Sequence, residues 1–151
     1  MTTVRELDPG MTILAVPALL ELRPAWADAD TLVRRIDEVQ RPQGYRLVAS
    51  FEVGEDDAAA VAGFRVLENL AWSRTLYVDD LVTRAGHRTR GHADKLFTWL
   101  EAEAQREACD EFHLDSGVGP HRQPAHRFYF AHGMRIASFH FSKPAPTQGP
   151  H

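Results

Sequence analysis

A chain of 151 residues, 44% hydrophobic and 25% charged, has enough apolar material for one core and too little length for two comfortable domains. Its net charge of −4 argues against a general nucleic-acid binder, no apolar run is long enough to span a bilayer, and a single cysteine, Cys109, excludes an internal disulfide framework. The apolar stretch Met11–Leu20 is short, contains Pro17 and follows Glu6 and Asp8 instead of a basic start. A soluble cytoplasmic protein without a signal peptide is therefore expected.

In chain order, Thr2–Leu7 reads as an extended piece and Asp8-Pro9-Gly10 as a turn. Helical stretches follow over Met11–Leu22 and Asp30–Gln40, the first disturbed by Pro17, the second capped by Asp28 or Asp30 and broken by Gly44. Tyr45–Val53 alternates Leu47, Ala49, Phe51 with Arg46, Ser50, Glu52, the pattern of a half-buried strand. The turn Gly54–Asp57 joins it to a small-residue strand, Ala58–Leu67, in a hairpin, and a further strand covers Thr75–Thr83. After Gly91 the period changes to that of a helix: Ala93, Leu96, Phe97, Leu100 and Ala104 form its apolar face, with Glu101, Glu103 and Arg106 expected to face water. A short strand, Glu111–Ser116, a loop, Gly117–Pro124, a helix, Pro124–His132, stopped by Gly133, and a last strand, Met134–Ser142, complete a mixed α/β (α+β) sandwich. The proline-bearing tail 143–151 is expected to be loose.

Charge is uneven along the chain. Residues 1–80 carry 14 Asp/Glu against 8 Lys/Arg, whereas residues 81–151 carry 7 against 9. An anionic ligand is thus favoured by the second half and a cationic one by the first. Between the strand ending at Thr83 and the long helix lies Arg84-Ala85-Gly86-His87-Arg88-Thr89-Arg90-Gly91, with three arginines and no carboxylate. A helix N-terminus offers unpaired N–H groups and a partial positive charge, and Gly91 lets the backbone approach closely, so the segment suits a pyrophosphate. Neither of the two common glycine-rich nucleotide-binding patterns is present.

Arg88-Thr89-Arg90-Gly91-His92-Ala93 resembles the R/Q-x-x-G-x-G/A motif of the GNAT superfamily of acyl-CoA-dependent N-acyltransferases. Asp80-Leu81-Val82-Thr83 resembles the fourth strand of that superfamily, and Ala125–Met134, with Tyr129 and Gly133, its A-x-x-x-Y-x-x-x-G-F signature. Two motifs in order at the right distance make the resemblance fairly specific, and it covers most of residues 1–142 as a single domain. It implies a mostly antiparallel sheet flanked by about four helices and splayed open after strand four. It further implies that Leu81, Val82 and Thr83 pair with the pantetheine arm of acetyl-CoA, and that the backbone amides of Arg88, Thr89, Arg90, Gly91, His92 and Ala93 hold its pyrophosphate. The sequence departs from the pattern at Arg122, where many relatives carry Asn, and at Met134, where Phe is common.

The implied chemistry is amide formation from a thioester. An alkylamine must lose a proton before attack, the oxyanion needs a donor, and the leaving thiolate, with a pKa near 8.5, profits from an acid. The resemblance makes Tyr129 that acid. For the base, Asp79, Asp80 and Asp115 remain open alternatives, directly or through water, and strand alternation puts Asp79 and Asp80 on opposite faces. No metal site is expected, because His87/His92 and His121/His126 are spaced five apart and lack a cysteine cluster or H-E-x-x-H. The acceptor expected is a primary amine on a small molecule or peptide, with no nucleic acid and no membrane as partner. Relatives often form homodimers, and the sequence leaves the oligomeric state open. A non-catalytic acyl-CoA-binding sensor of the same fold is the alternative function, and a nucleotide-binding regulatory module a third.

Overall fold

Strand Arg46–Glu52 (β2) shows how this sequence builds its layers. Its odd positions, Leu47, Ala49 and Phe51, enter one apolar cluster with Leu19, Leu32 and Ile36, while Val48 enters another with Leu96 and Leu100. Both faces of the strand are covered, so the half-buried strand expected from the alternation is instead a central one. The polar residues that suggested a wet face are bonded beneath a helix. Ser50 Oγ lies 2.7 Å from Nδ1 of His92, and Glu52 Oε1 lies 3.0 Å from its Nε2.

The computed structural model describes residues 2–147 and 149, in two compact units divided between Leu114 and Asp115. The first unit holds a five-stranded sheet in the order β1-β2-β3-β4-β5, with β1 at Thr2–Leu7, β3 at Ala60–Asn69, β4 at Ser73–Thr83 and β5 at Glu111–Leu114. The first four strands are antiparallel to their neighbours, while β5 runs parallel to β4. That parallel step requires a crossover, supplied by helix His92–Arg106 (α3).

Helices Val16–Leu22 (α1) and Ala29–Arg35 (α2) cover the opposite face. Pro17 lies in the first turn of α1, where its missing N–H costs no helical bond, and the chain before it, Pro9–Ala15, is wound as a 3₁₀-helix. Asp28 caps α2 by accepting from the backbone N–H of Thr31 at 2.8 Å. Among the described residues, no helix is long and apolar enough to cross a membrane.

On α3, Leu96, Phe97 and Leu100 are buried as the period requires. Glu103, expected to face water, is only 6% exposed. It accepts from Arg46 of β2 and from Arg106 at 2.6 Å, and these guanidiniums, Arg106 foremost, hold its carboxyl at about 2. The correction has a simple cause. Arg46 lies on the face of β2 that α3 covers, and a partly buried guanidinium there is matched by a carboxylate from the covering helix. His92 at one end of α3 and Glu103 near the other thus tie the helix to opposite ends of β2.

In the second unit, helix Gln123–Ala131 (α4) ends at Gly133, whose φ is +80°, and the N–H of Met134 donates to Tyr129 O at 3.0 Å. The strand expected over Met134–Ser142 does not form. A strand is stabilised by its ladder, not by its own residues, and this segment has no ladder among the described residues. Ile136, Phe139 and Phe141 are 71%, 82% and 91% exposed. Residues 143–147 and 149 of the tail carry no regular structure, and the rest of it lies outside the described residues.

Candidate active site

The chemistry-bearing residues of the first unit gather around the far half of β4. From Thr75 to Val78 this strand is bonded by β3 on one side and β5 on the other, but beyond Val78 the β5 ladder stops while β3 continues to Thr83. Asp79, Asp80, Leu81, Val82 and Thr83 therefore lie past the last β5 pair, with a strand edge open on that side of the unit. A sheet that splays after its fourth strand is what the sequence motifs implied.

The same region carries a β-bulge. Gly63 pairs with Asp80 and the next residue, Phe64, pairs with Val78, so Asp79 is an extra residue on β4. An extra residue breaks the two-residue alternation of side chains. Asp79 and Asp80 both line one cleft of about 290 Å³ between α1, α2 and β4. The expectation that they face opposite ways is thereby corrected: alternation holds only where pairing is regular, and a bulge is set by the neighbouring strand.

The two carboxylates are held differently. Asp80 Oδ1 accepts from Nε of Arg23 at 2.9 Å, and its Oδ2 accepts from the Tyr45 hydroxyl at 2.8 Å. Burial, reinforced by the negative charge of Asp80, pushes the Tyr45 phenol far above its ordinary range, so it stays a proton donor. Asp79 Oδ2 accepts from Nε of Arg65 at 2.8 Å, while its Oδ1 has no partner among the described residues. Burial raises the Asp79 carboxyl above its ordinary value despite the opposing pull of Arg65. Tyr45 reaches Asp80 by crossing Gly63, where no side chain stands in its way. Arg23, Tyr45 and Arg65 carry no motif, and only the register of β2, β3 and β4 shows their part.

After Thr83 the chain turns through a 3₁₀ segment, Ala85–His87, and reaches α3 by way of two left-handed residues, Thr89 at φ +64° and Gly91 at +82°. Among the described residues no side chain caps the first turn of α3, so the N–H groups of its opening residues remain available to an anion. The side chain of His92 is turned into the fold and 1% of the residue is exposed, leaving its backbone as the part that can face a ligand. Arg88 is exposed and has no carboxylate partner among the described residues.

The loop's other cations are engaged. Arg90 Nη1 donates to both oxygens of Glu52, at 2.8 and 2.9 Å, and Arg84 lies 3.7 Å from Glu21. Arg90 and then His92 hold the Glu52 carboxyl at about 2. The local sequence has no carboxylate here because both partners arrive from other elements. The same convergence brings Glu52, Glu55 and His87 together, their ligand atoms all within 4.8 Å of one another. Histidine spacing alone could not show that group. Its members are already paired, Glu55 with His87 at 2.7 Å and Glu52 with Arg90.

In the second unit, Asp115 is 55% exposed and lies 3.5 Å from Nδ1 of His140. Tyr129 on α4 is raised above its ordinary phenol value by burial, opposed by the neighbouring Arg122 guanidinium, and packs edge-on to Phe128 at 5.8 Å. Arg122, the departure from the family's Asn, is thus the charged neighbour of this hydroxyl. His126 lies 2.8 Å from the carbonyl of Gly117 and 3.1 Å from Ser116 Oγ, which accounts for its ring nitrogen structurally.

The family model described as the Acetyltransferase (GNAT) family matches residues 14–134. An uncharacterized N-acetyltransferase of Bacillus subtilis (strain 168), YhdJ, is 30% identical over 129 residues, spanning 85% of this chain and 87% of that protein. Among solved structures, an aminoglycoside acetyltransferase from an uncultured soil metagenomic sample superposes with a TM-score of 0.76 at 22% identity, over 97% of this chain and 99% of that one. The aminoglycoside N-acetyltransferase AAC(6')-Iy in complex with CoA superposes with a TM-score of 0.78 at 13% identity, over 97% and 96% of the two chains. These superpositions establish a common fold, and the family match extends across both sequence motifs. The chain belongs to the GNAT family of N-acetyltransferases, enzymes that draw their acetyl group from acetyl-CoA.

Proposed function

We propose that this chain transfers the acetyl group of acetyl-CoA to a primary amine of a small molecule or peptide by direct attack in a ternary complex, with Asp79 as the base. The observation that carries the assignment is that Asp79 lines the cleft and its Oδ1 has no partner among the described residues, on a carboxyl whose affinity for a proton burial has raised. A base must have a free lone pair within reach of the amine, and it works best when its pKa approaches the operating pH. Both oxygens of Asp80 are occupied, so its role is to fix the bulge and the charge balance around Asp79. Asp115, half exposed and beside His140, is not among the residues that line the cleft.

Acetyl-CoA supplies an activated thioester. The stretch Leu81–Thr83, paired with β3 but past the last β5 pair, is read as the partner of its amide arm, and the uncapped start of α3, from Arg88 through Ala93, as the seat of its pyrophosphate. Arg88 is the guanidinium in that loop ready to add charge. On the strength of the motif, Tyr129 is assigned as the acid that protonates the leaving thiolate, and its raised pKa keeps it protonated near neutral pH.

Thiol release from acetyl-CoA with a panel of amines tests the reading. Asp79→Asn should lower kcat by about 100-fold or more and remove the acid limb of the pH–rate profile, with acetyl-CoA affinity retained. An unchanged rate removes Asp79 from the role. Acetyl-CoA binding without turnover on any amine would establish the sensor function instead.

A further inference from the structure

The cleft's charge balance differs from that of the sequence around it. Residues 1–80 are acidic overall, which favours a cationic ligand, yet the two carboxylates in the cleft are each paired: Asp80 with Arg23, and Asp79 with Arg65. Arg35 also lines the cleft and has no carboxylate partner among the described residues. It sits over the ring of Trp26, 5.5 Å from the centroid. Counting Arg65, which pairs with Asp79 from beside the cleft, three guanidiniums stand against two carboxylates, and Arg35, at the rim, is the one left without a carboxylate partner among the described residues.

The rim is also strained. Ala27 has φ 63° and ψ −54°, and the N–H of Asp28 donates across it to Trp26 O at 2.7 Å. This is a positive-φ γ-turn on a residue with a side chain, a conformation that costs free energy and persists only where its surroundings impose it. Pro24 on one side and the Asp28 cap of α2 on the other hold it in place. The effect is to present Trp26 beside Arg35 at the mouth of the cleft. Below them Leu19, Leu32 and Ile36 form an apolar floor.

We propose that the acceptor is an α-amino acid with an apolar side chain, its amine directed to Asp79, its carboxylate to Arg35 and its side chain against Trp26, Leu32 and Ile36. The inference rests on the acetyl-transfer reading above and narrows its substrate class. A volume of about 290 Å³ is at the lower end of ligand pockets and suits a molecule of amino-acid size. A planar guanidinium held against an aromatic ring is a ready partner for a carboxylate. Polycationic acceptors are disfavoured, because they meet a rim of their own charge and carboxylates already neutralised.

The test compares leucine and phenylalanine with their decarboxylated counterparts, isoamylamine and phenethylamine, and with kanamycin and spermidine as polycations. With acetyl-CoA in excess, thiol release should show kcat/KM at least about tenfold higher for each amino acid than for its decarboxylated counterpart, the usual worth of a charged hydrogen bond. Arg35→Gln should collapse that preference, while Arg34→Gln, one position earlier on α2, should keep it. Equal or better turnover of the decarboxylated amines or the polycations overturns the proposal, as does a preference that survives Arg35→Gln. Thermal shift with the same pairs reads the cleft without turnover. Carboxylate-dependent stabilisation with no thiol release would uphold the amino-acid site and overturn acetyl transfer alone.

Discussion

Gly63→Ala is the substitution through which the architecture of the site can be probed most directly. A Cβ built at Gly63 overlaps the hydroxyl and ring of Tyr45, and even Cε1 of that ring would stand only 2.7 Å away. The tyrosine cannot yield cheaply. It is 5% exposed, its hydroxyl donates to Asp80 at 2.8 Å, and Arg65 lies 5.5 Å over its ring. Overpacking of this kind costs about 1–3 kcal/mol, and loss of a hydrogen bond to a charged group about 1.5–3 kcal/mol, so a total near 3 kcal/mol is expected. For 151 residues this corresponds to a fall in Tm of about 10 °C. Because Gly63 faces Asp80 across the bulge, turnover should fall as well, with acetyl-CoA affinity nearly unchanged. Calorimetry and thiol release measure both effects. In a Tyr45→Ala background the cost of Gly63→Ala should shrink below about 0.5 kcal/mol, since the obstructing ring is gone. A Tm within about 2 °C of the parent, or an undiminished cost in that background, would refute the account of how Tyr45 positions Asp80.

Two further outcomes address the cofactor loop and the α3 clamp. Gly91 has φ +82°, and a Cβ placed there would meet nothing within 4 Å, so Gly91→Val should fold at a strain of about 1–3 kcal/mol yet bind acetyl-CoA at least about tenfold more weakly by titration calorimetry. Unaltered affinity would move the pyrophosphate elsewhere. Glu103, held at about 2 against an ordinary 4.5, contributes stability that is complete above pH 4.5 and lost as pH falls through about 2. Glu103→Gln should cost about 2 kcal/mol at pH 7 and flatten the stability profile between those pH values, as followed by urea denaturation. A profile identical to the parent's would show that Arg46 and Arg106 do not depend on this carboxylate.

Much of this protein was legible without coordinates, because the signals concerned are local. The helical period from Ala93 to Ala104, the caps and breaks at Asp28, Gly91 and Gly133, and the hairpin around Gly54 depend on residues within one or two turns of each other. The same is true of the motif at Arg88–Ala93, since a helix start is defined by its own backbone.

Other features arise only where two elements meet. Whether Asp79 and Asp80 share a cleft depends on the register of β3 against β4, which no spacing within β4 encodes. Glu103 and Ser50 read as water-facing because their partners, Arg46 and His92, are over 40 residues away in sequence. The basic loop showed no carboxylate in its own sequence, yet Glu52 reaches Arg90 from β2. Met134–Ser142 has the composition of a strand, and composition alone supplies no ladder. Sequence period reports which side of an element avoids water. Burial of charge and strand pairing are properties of pairs, and only the folded chain selects the pairs.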